Sequence, residues 1–189
     1  MKTDIILSGV GGQGILSIAT VIGQAALANN LYIKQAEVHG MSQRGGDVQS
    51  NLRLSDTPIA SDLIPLGGAD VIIAMEPLEA LRYLPYLSKD GWIISSADAF
   101  VNIPNYPDIE SVLSELRSHG RVKLIELDKI AKENNIARSA NMILLGATAE
   151  FLGLGFDAIA ESVRTVFGNK SEAVVEMNLR ALEIGRAFK

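Results

Sequence analysis

The chain of 189 residues contains no cysteine. It can therefore form no disulfide bond, use no cysteine nucleophile and hold no iron–sulfur cluster through its own thiolates. It has only two histidines, His39 and His119, which lie 80 positions apart and give no metal-binding signature. These absences exclude thiol catalysis and thiolate-held clusters from this chain.

Aromatic residues, long apolar runs and basic tracts are also scarce. Aromatics make up 5% of the chain against 48% hydrophobic residues overall, so the core must consist mainly of aliphatic side chains, which suit helices packed on a parallel sheet. No apolar run approaches the roughly 20 residues that span a bilayer. The net charge is −5, and no cluster of basic residues is present to neutralise phosphates. We expect a cytoplasmic protein with no membrane and no nucleic-acid partner.

The alternation of strand and helix patterns predicts an α/β fold. The length indicates one domain over residues 1–189. We expect a Rossmann-like open, mainly parallel sheet flanked by helices, with an antiparallel or edge strand and a helical C-terminus. Strands are predicted over 5–7, 32–38, 48–54, 69–75, 91–96 and 122–127, and helices over 15–28, 77–84, 109–119, 129–134, 139–152, 157–167 and 171–188. The predicted N-caps are Asp128, Ser139, Asp157 and Ser171, and the predicted stops are Gly153 and Gly168.

The first glycine segment follows the first strand and precedes a helix. Gly9, Gly11 and Gly14 fit the dinucleotide-binding spacing G-x-G-x-x-G. Free N–H groups and the dipole at a helix N-terminus favour a phosphate. Glu37 lies near the end of the second strand, roughly where an acidic residue binds the ribose of a dinucleotide. The alternative is that the glycines only let the first helix pack tightly on the sheet.

A second glycine segment, residues 39–46, follows the second strand. It combines an imidazole, a guanidinium, an amide and three glycines. Arg44 suits a carboxylate or phosphate in bidentate geometry, and His39 could act as an acid, a base or a hydrogen-bond donor. The alternative is a polar turn in which Arg44 pairs with an acidic residue. The density of glycine beside charge favours a binding or interface role.

Together the two segments resemble the gamma-type subunit of 2-oxoacid:ferredoxin oxidoreductases. Within that family the likeness is greatest to the beta subunit of indolepyruvate:ferredoxin oxidoreductase. Residues 69–82 and 139–146 also match, so the resemblance covers nearly the whole chain. Glu76 favours the indolepyruvate branch. The gamma subunit of a 2-oxoglutarate, pyruvate or branched-chain 2-oxoacid enzyme is an alternative, and an NAD(P)-binding Rossmann domain is an alternative from another class.

The resemblance implies a subunit that is inactive by itself. The family decarboxylates 2-oxoacids oxidatively, joins the acyl group to coenzyme A and reduces ferredoxin. Thiamine diphosphate and iron–sulfur clusters belong to the large partner subunits, through which ferredoxin would also be reached. No cofactor is expected on this chain alone, while coenzyme A is a candidate shared substrate. The sequence is consistent with thiamine diphosphate being bound by a partner, since it lacks a thiamine motif: Gly46-Asp47 is followed by Val48 rather than glycine.

The two glycine segments are predicted to form one surface at the carboxyl ends of the first two strands. This surface would face a partner subunit or coenzyme A, and we assign no catalytic residue. The residues expected on it are Gly9, Gly11, Gly12, Gln13, Gly14, Glu37, His39, Gly40, Gln43, Arg44, Gly45 and Gly46.

Overall fold

The computed structural model describes residues 1–39 and 45–188, with the His39 side chain left out. Six strands lie within these ranges: β1 (Lys2–Val10), β2 (Tyr32–His39), β3 (Asp47–Ser55), β4 (Ala69–Ala74), β5 (Leu87–Ser96) and β6 (Val122–Ile125). Seven α-helices accompany them: α1 (Ile15–Ala28), α2 (Pro77–Arg82), α3 (Ile109–Ser118), α4 (Leu127–Glu133), α5 (Ala140–Thr148), α6 (Phe156–Phe167) and α7 (Glu172–Arg186). The predicted α/β class with a helical C-terminus is confirmed.

The strands form one sheet in the order β2-β3-β1-β4-β5-β6. β1, β4, β5 and β6 pair in parallel, whereas β3 is antiparallel to both β1 and β2. The expected antiparallel or edge strand is therefore present as an antiparallel strand, β3, which covers the predicted range 48–54. β3 lies inside the sheet, between β1 and the edge strand β2, and this position determines where the second glycine segment can reach.

Alternating side chains of the central strands feed a first core on one face of the sheet, and a second core and a third, smaller cluster on the other face. Ile5 and Leu7 of β1 face α1 and the C-terminal helices, while Ile6 faces the opposite side. In β4, Ile73 joins the first core and Ile72 the second. Helices α1, α4, α5, α6 and α7 cover one face of the sheet, and α2 and α3 cover the other. This two-sided burial explains why the central strands read as continuous apolar runs.

Helices α5 and α7 cross in direct backbone contact. A Cβ atom placed on Gly146 would overlap the carbonyl oxygen of Leu182, and one placed on Gly185 would overlap that of Ile143. These two glycines allow the C-terminal helix to lie close against α5, which is itself buried against the sheet. The C-terminal helices are therefore an integral layer of the domain.

Two predicted helix starts were wrong. α4 begins at Leu127, so Asp128 lies in its first turn instead of capping it; the Asp98 carboxylate, far away in sequence, accepts the N–H of Asp128 at 2.9 Å. α6 begins at Phe156, with Gly155 at the N-cap position, so Asp157 also lies inside the helix. Acidic residues in a first turn interact favourably with the helix dipole, which produces the same local sequence pattern as a cap.

Other boundaries differ less. The predicted helix over 139–152 is α5 flanked by short 3-10 turns, Ala137–Ser139 and Ala149–Phe151. Ser139 and Ser171 occupy N-cap positions without a side-chain cap bond. Gly153 has a φ of +67°, as expected of a helix stop. Within residues 1–39 and 45–188, none of the helices combines the length and hydropathy that a membrane span requires.

Candidate functional site

The first glycine segment makes a tight turn between β1 and α1. Gly12 and Gly14 have φ angles of +104° and +84°, in the left-handed region that L side chains rarely adopt. Gly14 occupies the N-cap position of α1, and its carbonyl oxygen accepts a hydrogen bond from Asn141 Nδ2 at 3.1 Å. The turn is therefore fastened to the start of α5, and glycine at positions 12 and 14 is a backbone requirement.

Gly9, the first glycine of the fingerprint, lies within β1, where packing explains it. A Cβ atom on Gly9 would come within 3.0 Å of Gln13 Oε1, 3.0 Å of Ile15 Cγ1 and 3.2 Å of Met75 Cβ. The space that a ligand would need at Gly9 is filled by the protein's own side chains. The tight-packing interpretation therefore accounts for this position.

The Gln13 side chain holds the turn to the neighbouring strand. Its Oε1 accepts the N–H of Val10 at 2.7 Å, and its Nε2 donates to the carbonyl oxygen of Met75 at 3.2 Å, directly after β4. Both ends of the amide are thus used within the chain. Gln13 is partly exposed beside the cleft described below, and its predicted contact with a partner stays a prediction.

The two glycine segments are joined by backbone hydrogen bonds. The N–H of Gly11 donates to the carbonyl oxygen of Gly46 at 2.8 Å, and the N–H of Gly45 donates to that of Gly11 at 3.4 Å. The join extends the β1–β3 ladder, which ends at the pair Val10 and Asp47. The structure thus brings Gly11, Gly12, Gln13, Gly14, Gly45 and Gly46 together at the carboxyl edge of the sheet.

The other predicted residues of the second segment are His39, Gly40, Gln43 and Arg44. Gly40, Gln43 and Arg44 lie outside the described residues, and of His39 only the backbone, at the end of β2, is described. Their expected roles stay predictions. β2 ends at His39 and β3 begins at Asp47, and these two strand ends lie at the same edge of the sheet.

The position of Glu37 argues against a dinucleotide site. In the dinucleotide-binding fold the acidic residue ends the strand next to β1, where it can reach a ribose above the glycine turn. Here β3 separates β1 from β2, so Glu37 lies two strand spacings, about 10 Å, from β1. Its Oε1 accepts a hydrogen bond from Gln35 Nε2 at 2.5 Å. Glu37 is therefore a residue of the sheet edge.

An open cleft of about 520 Å³ lies beside the glycine turn, at the carboxyl ends of β1, β4, β5 and β6. A smaller cleft of about 310 Å³ continues past the turn toward α7. The larger cleft is lined by Gly12, Gln13, Met75, Ser96, Asp98, Ala99, Phe100, Leu127, Asp128, Ala137, Arg138, Ala140 and Asn141. Strand-end crevices of this kind are where open α/β sheets bind ligands.

The cleft has a carboxylate side and a cationic side. Asp98 and Asp128 lie together on one side, and burial together with the charge of Asp98 raises the pKa of Asp128 above its ordinary value. Arg138 and Asn141 line, with Gly12, both this cleft and the smaller one, whereas Asp98 and Asp128 line the larger cleft alone. An anionic ligand is therefore favoured at the glycine-turn end and repelled at the opposite one.

The sequence did not single out Asp98, Phe100, Asp128 or Arg138 as site residues. Asp98 and Phe100 come from a segment without periodicity, and Asp128 and Arg138 lie at or just before the starts of predicted helices. Only the fold places these four residues beside the glycine turn. The one signal in the sequence that could have indicated Arg138 is its position directly before residues 139–146, which resemble the family.

A second pair of carboxylates, Glu76 and Glu79, lies at the start of α2. Glu76 is the N-cap of α2 and accepts the N–H of Glu79 at 2.8 Å. Burial raises the pKa of Glu79, while its bond from Arg82 Nε at 2.9 Å acts in the opposite direction. Glu76 also accepts hydrogen bonds from Phe100 N and the Tyr106 hydroxyl. A structural role at the start of α2 fits this arrangement better than acid–base chemistry.

In the described part of the chain, no three His, Cys, Asp or Glu side chains lie close enough to hold an ion. In each of two acidic pairs, Asp98 with Asp128 and Glu76 with Glu79, the carboxylate of the first residue accepts the backbone N–H of the second, in the first turn of a helix.

Comparison with known proteins gives the family. The family model described as pyruvate ferredoxin/flavodoxin oxidoreductase matches residues 4–188. The chain is 34% identical to the indolepyruvate oxidoreductase subunit IorB of Archaeoglobus fulgidus, over 98% of this chain and 94% of the relative. It is 35% identical to the IorB subunit of Pyrococcus horikoshii, over 96% and 93% respectively.

A solved structure shares the fold. The 2-oxoglutarate:ferredoxin oxidoreductase of Magnetococcus marinus, determined with 2-oxoglutarate, coenzyme A and succinyl-CoA bound, matches with a TM-score of 0.77 at 22% identity. The match covers 99% of this chain and 31% of that one. Together with the family match, these findings establish that the chain belongs to the pyruvate ferredoxin/flavodoxin oxidoreductase family and is a gamma-type subunit of a 2-oxoacid:ferredoxin oxidoreductase.

Proposed function

We propose that the chain is the non-cluster-binding subunit of an oxidoreductase that acts on indolepyruvate or other arylpyruvates. The observation that carries this proposal is its 34–35% identity, over 96–98% of its length, to IorB subunits of two archaea. The complete enzyme would convert an arylpyruvate, coenzyme A and oxidised ferredoxin to an arylacetyl-CoA, carbon dioxide and reduced ferredoxin. The clusters would reside in the large subunit, since this chain has no cysteine, and thiamine diphosphate would reside there too, since this chain lacks a thiamine motif.

Coenzyme A is the ligand that we propose for the cleft beside the glycine turn. It carries several phosphate groups, and a guanidinium is the side chain best suited to bind them. Arg138 provides one, and with Gly12 it also lines the smaller cleft, which Asp98 and Asp128 do not line. Within the described residues, the N–H groups of Gly12 and Gly14 donate to no protein acceptor, so they are free to meet an anion.

The large subunit is the proposed neighbour of the two joined glycine segments. Close approach of another backbone needs an edge without bulky side chains, and Gly11, Gly12, Gly45 and Gly46 supply one. Arg44 and His39 would add polar contacts across the interface, as the sequence predicts. In this arrangement the cleft faces the partner, and coenzyme A would lie between the two subunits.

Co-expression with the large subunit tests the function directly. The purified complex should reduce ferredoxin when given coenzyme A and indolepyruvate, and should do so more slowly with pyruvate, 2-oxoglutarate or a branched-chain 2-oxoacid. Faster turnover of one of those acids would assign the chain to that branch and overturn the arylpyruvate proposal. Reduction in the absence of coenzyme A would overturn the reaction type.

Arg44→Ala tests the role of the second glycine segment. We expect weaker complex formation, or a lower rate of acyl transfer to coenzyme A, with an unchanged melting temperature of the isolated chain. Arg44→Lys is the matched control, because it keeps the charge but loses bidentate geometry, and it should recover part of the loss. Unchanged complex affinity together with unchanged coenzyme A-dependent turnover would contradict the proposal.

A further inference from the structure

The loop between β5 and α3, residues 97–108, carries an exposed apolar patch. Phe100 is 45% exposed, Val101 71% and Ile103 37%. The surrounding stretch, residues 99–107, contains no charged residue, although 21% of the whole chain is charged. Large apolar side chains grouped on an uncharged surface segment are characteristic of the centre of an interface.

Hydrogen bonds hold this loop in place. The buried carboxylate of Glu76 accepts the N–H of Phe100 at 3.4 Å and the hydroxyl of Tyr106, so both halves of the loop are tied to the start of α2. These hydrogen bonds fix the loop, and the loop presents the apolar patch outward. The exposure of these side chains is therefore a property of a well-held loop. A preorganised surface loses less conformational freedom when it binds.

The same loop continues the surface of the glycine segments. Asn102 Nδ2 donates to the carbonyl oxygen of Gly45 at 2.7 Å, and the N–H of Gly45 in turn donates to the carbonyl oxygen of Gly11. Phe100 also lines the cleft beside the glycine turn. The apolar patch, the joined glycine segments and the cleft thus share one edge of the domain.

We infer that Phe100, Val101 and Ile103 dock into an apolar recess on the large subunit of the oxidoreductase complex. The inference rests on the proposed orientation of the glycine segments toward that subunit. Two observations favour this occupant over a second copy of the chain. The chain is a subunit of a larger complex, and in the Magnetococcus marinus structure the matching region forms only 31% of a longer chain. The patch also adjoins the cleft proposed for the shared substrate.

The test compares polar substitutions at opposite ends of the sheet. Val101→Asp places a charge in the patch, and Val101→Ser removes the apolar contact without adding a charge. Leu66→Asp is the matched control, because Leu66 is 70% exposed in the β3–β4 connection, at the amino edge of the sheet. Each variant is mixed with the large subunit, and the dissociation constant is measured together with the melting temperature of the free chain.

We expect Val101→Asp to weaken the complex by at least about tenfold, Val101→Ser to weaken it less, and Leu66→Asp to leave it within about twofold of the parent. All three chains should melt near the parent temperature, since these side chains are exposed. Unchanged affinity in Val101→Asp, or an equal loss in Leu66→Asp, would overturn the inference. So would sedimentation showing that Val101→Asp dissociates a homodimer of the parent chain while leaving the heterocomplex intact.

These outcomes are separate from those of the proposed function. A complex that depends on Val101 but turns over only pyruvate would leave the docking surface standing and overturn the arylpyruvate proposal. A complex that turns over indolepyruvate and whose affinity is unchanged by Val101→Asp would support the arylpyruvate proposal and overturn the docking surface.

Discussion

The N–H of Gly11 donates to the carbonyl oxygen of Gly46 at 2.8 Å, which joins two glycine segments that lie 35 positions apart in the sequence. This bond changes the interpretation of both segments. The first segment resembles a nucleotide-binding turn when considered alone, but here its Gly11 N–H is used by the second segment and is unavailable to a phosphate. The two segments form one composite edge, and what binds there must fit both.

Gly14 offers the clearest test of the turn's geometry. Gly14→Ala should destabilise the chain for two reasons: the residue has a φ of +84°, and the new Cβ would lie 2.7 Å from Asn141 Nδ2. Left-handed backbone costs an L residue about 1–2 kcal/mol. The new Cβ would also displace the Asn141 side chain and break its hydrogen bond to the Gly14 carbonyl oxygen. We therefore expect a loss in the free energy of unfolding of roughly 3 kcal/mol, measured by urea denaturation.

Gly120→Ala is the control for that measurement. Gly120 has a φ of +77° but no neighbour within 4 Å of the added Cβ, so only the backbone cost applies. Equal losses in the two variants would show that Asn141 does not constrain the turn.

Arg53 should contribute strongly to stability. It forms a two-point ion pair with Asp4, whose side chain is 1% exposed, through Nε at 2.7 Å and Nη2 at 3.0 Å. Among the described residues, Arg53→Met leaves that buried carboxylate with the exposed Lys2 as its one ion-pair partner, so we expect a loss of about 3 kcal/mol in the free energy of unfolding. The comparison is Arg121→Met, which breaks a pair with the 83% exposed Asp90 and should cost less than about 1 kcal/mol. Comparable losses would argue against burial as the source of the difference.

Tyr83 should make stability depend on alkaline pH. Burial, with the nearby charges of Asp47 and Glu79, raises the pKa of Tyr83 from 10.0 to about 12. The folded state then holds the phenolic proton more tightly than the unfolded chain does. This contribution to the free energy of unfolding is complete below pH 10 and is lost as the pH rises to about 12.

The measurement is urea denaturation across that pH range, with phenolate absorbance followed in parallel. Tyr83→Phe lacks the titrating group, so the difference in stability between the parent and the variant should shrink as the pH rises. A difference that stays constant would mean that the folded state does not perturb Tyr83.

Arg138 tests the proposed ligand of the cleft. In the reconstituted complex, Arg138→Gln should raise the KM for coenzyme A roughly tenfold with little change in kcat, because a charge-assisted contact to a phosphate is lost. Arg117→Gln is the matched control, since Arg117 is an exposed arginine of α3, on the other face of the sheet. An unchanged KM in Arg138→Gln, or an equal rise in Arg117→Gln, would place coenzyme A elsewhere.

Local sequence patterns were sufficient for most of the secondary structure and failed at long-range contacts. The α1 helix was predicted with its observed bounds, because an apolar stripe of period 3.6 and two flanking asparagines are both local signals. The start of α4 was misplaced, because the carboxylate that accepts its amide hydrogen bond comes from Asp98, 30 positions away. Nothing within the helix itself indicates that contact.

The candidate site divides in the same way. The glycine turn was predictable, because positive φ at Gly12 and Gly14 leaves few alternatives to glycine. The rest of the cleft could not be predicted, because Arg138 and Asp98 become neighbours of the turn only when β5, β6 and α5 assemble around it. The apolar patch at Val101 was hidden for a similar reason, since a segment with two prolines and no periodicity carries no sign of being held in place by Glu76.

The sequence by itself determined the fold class, the family and the absence of thiol chemistry, because these depend on composition, on periodicity and on motifs that can be recognised along the chain. Only the tertiary structure decided which residues meet. The antiparallel β3 lies between β1 and β2, which moves Glu37 about two strand spacings away from the glycine turn. It also brings Gly46 within hydrogen-bonding distance of Gly11. Strand order is set by packing and pairing across the whole sheet, so it cannot be derived from any one segment.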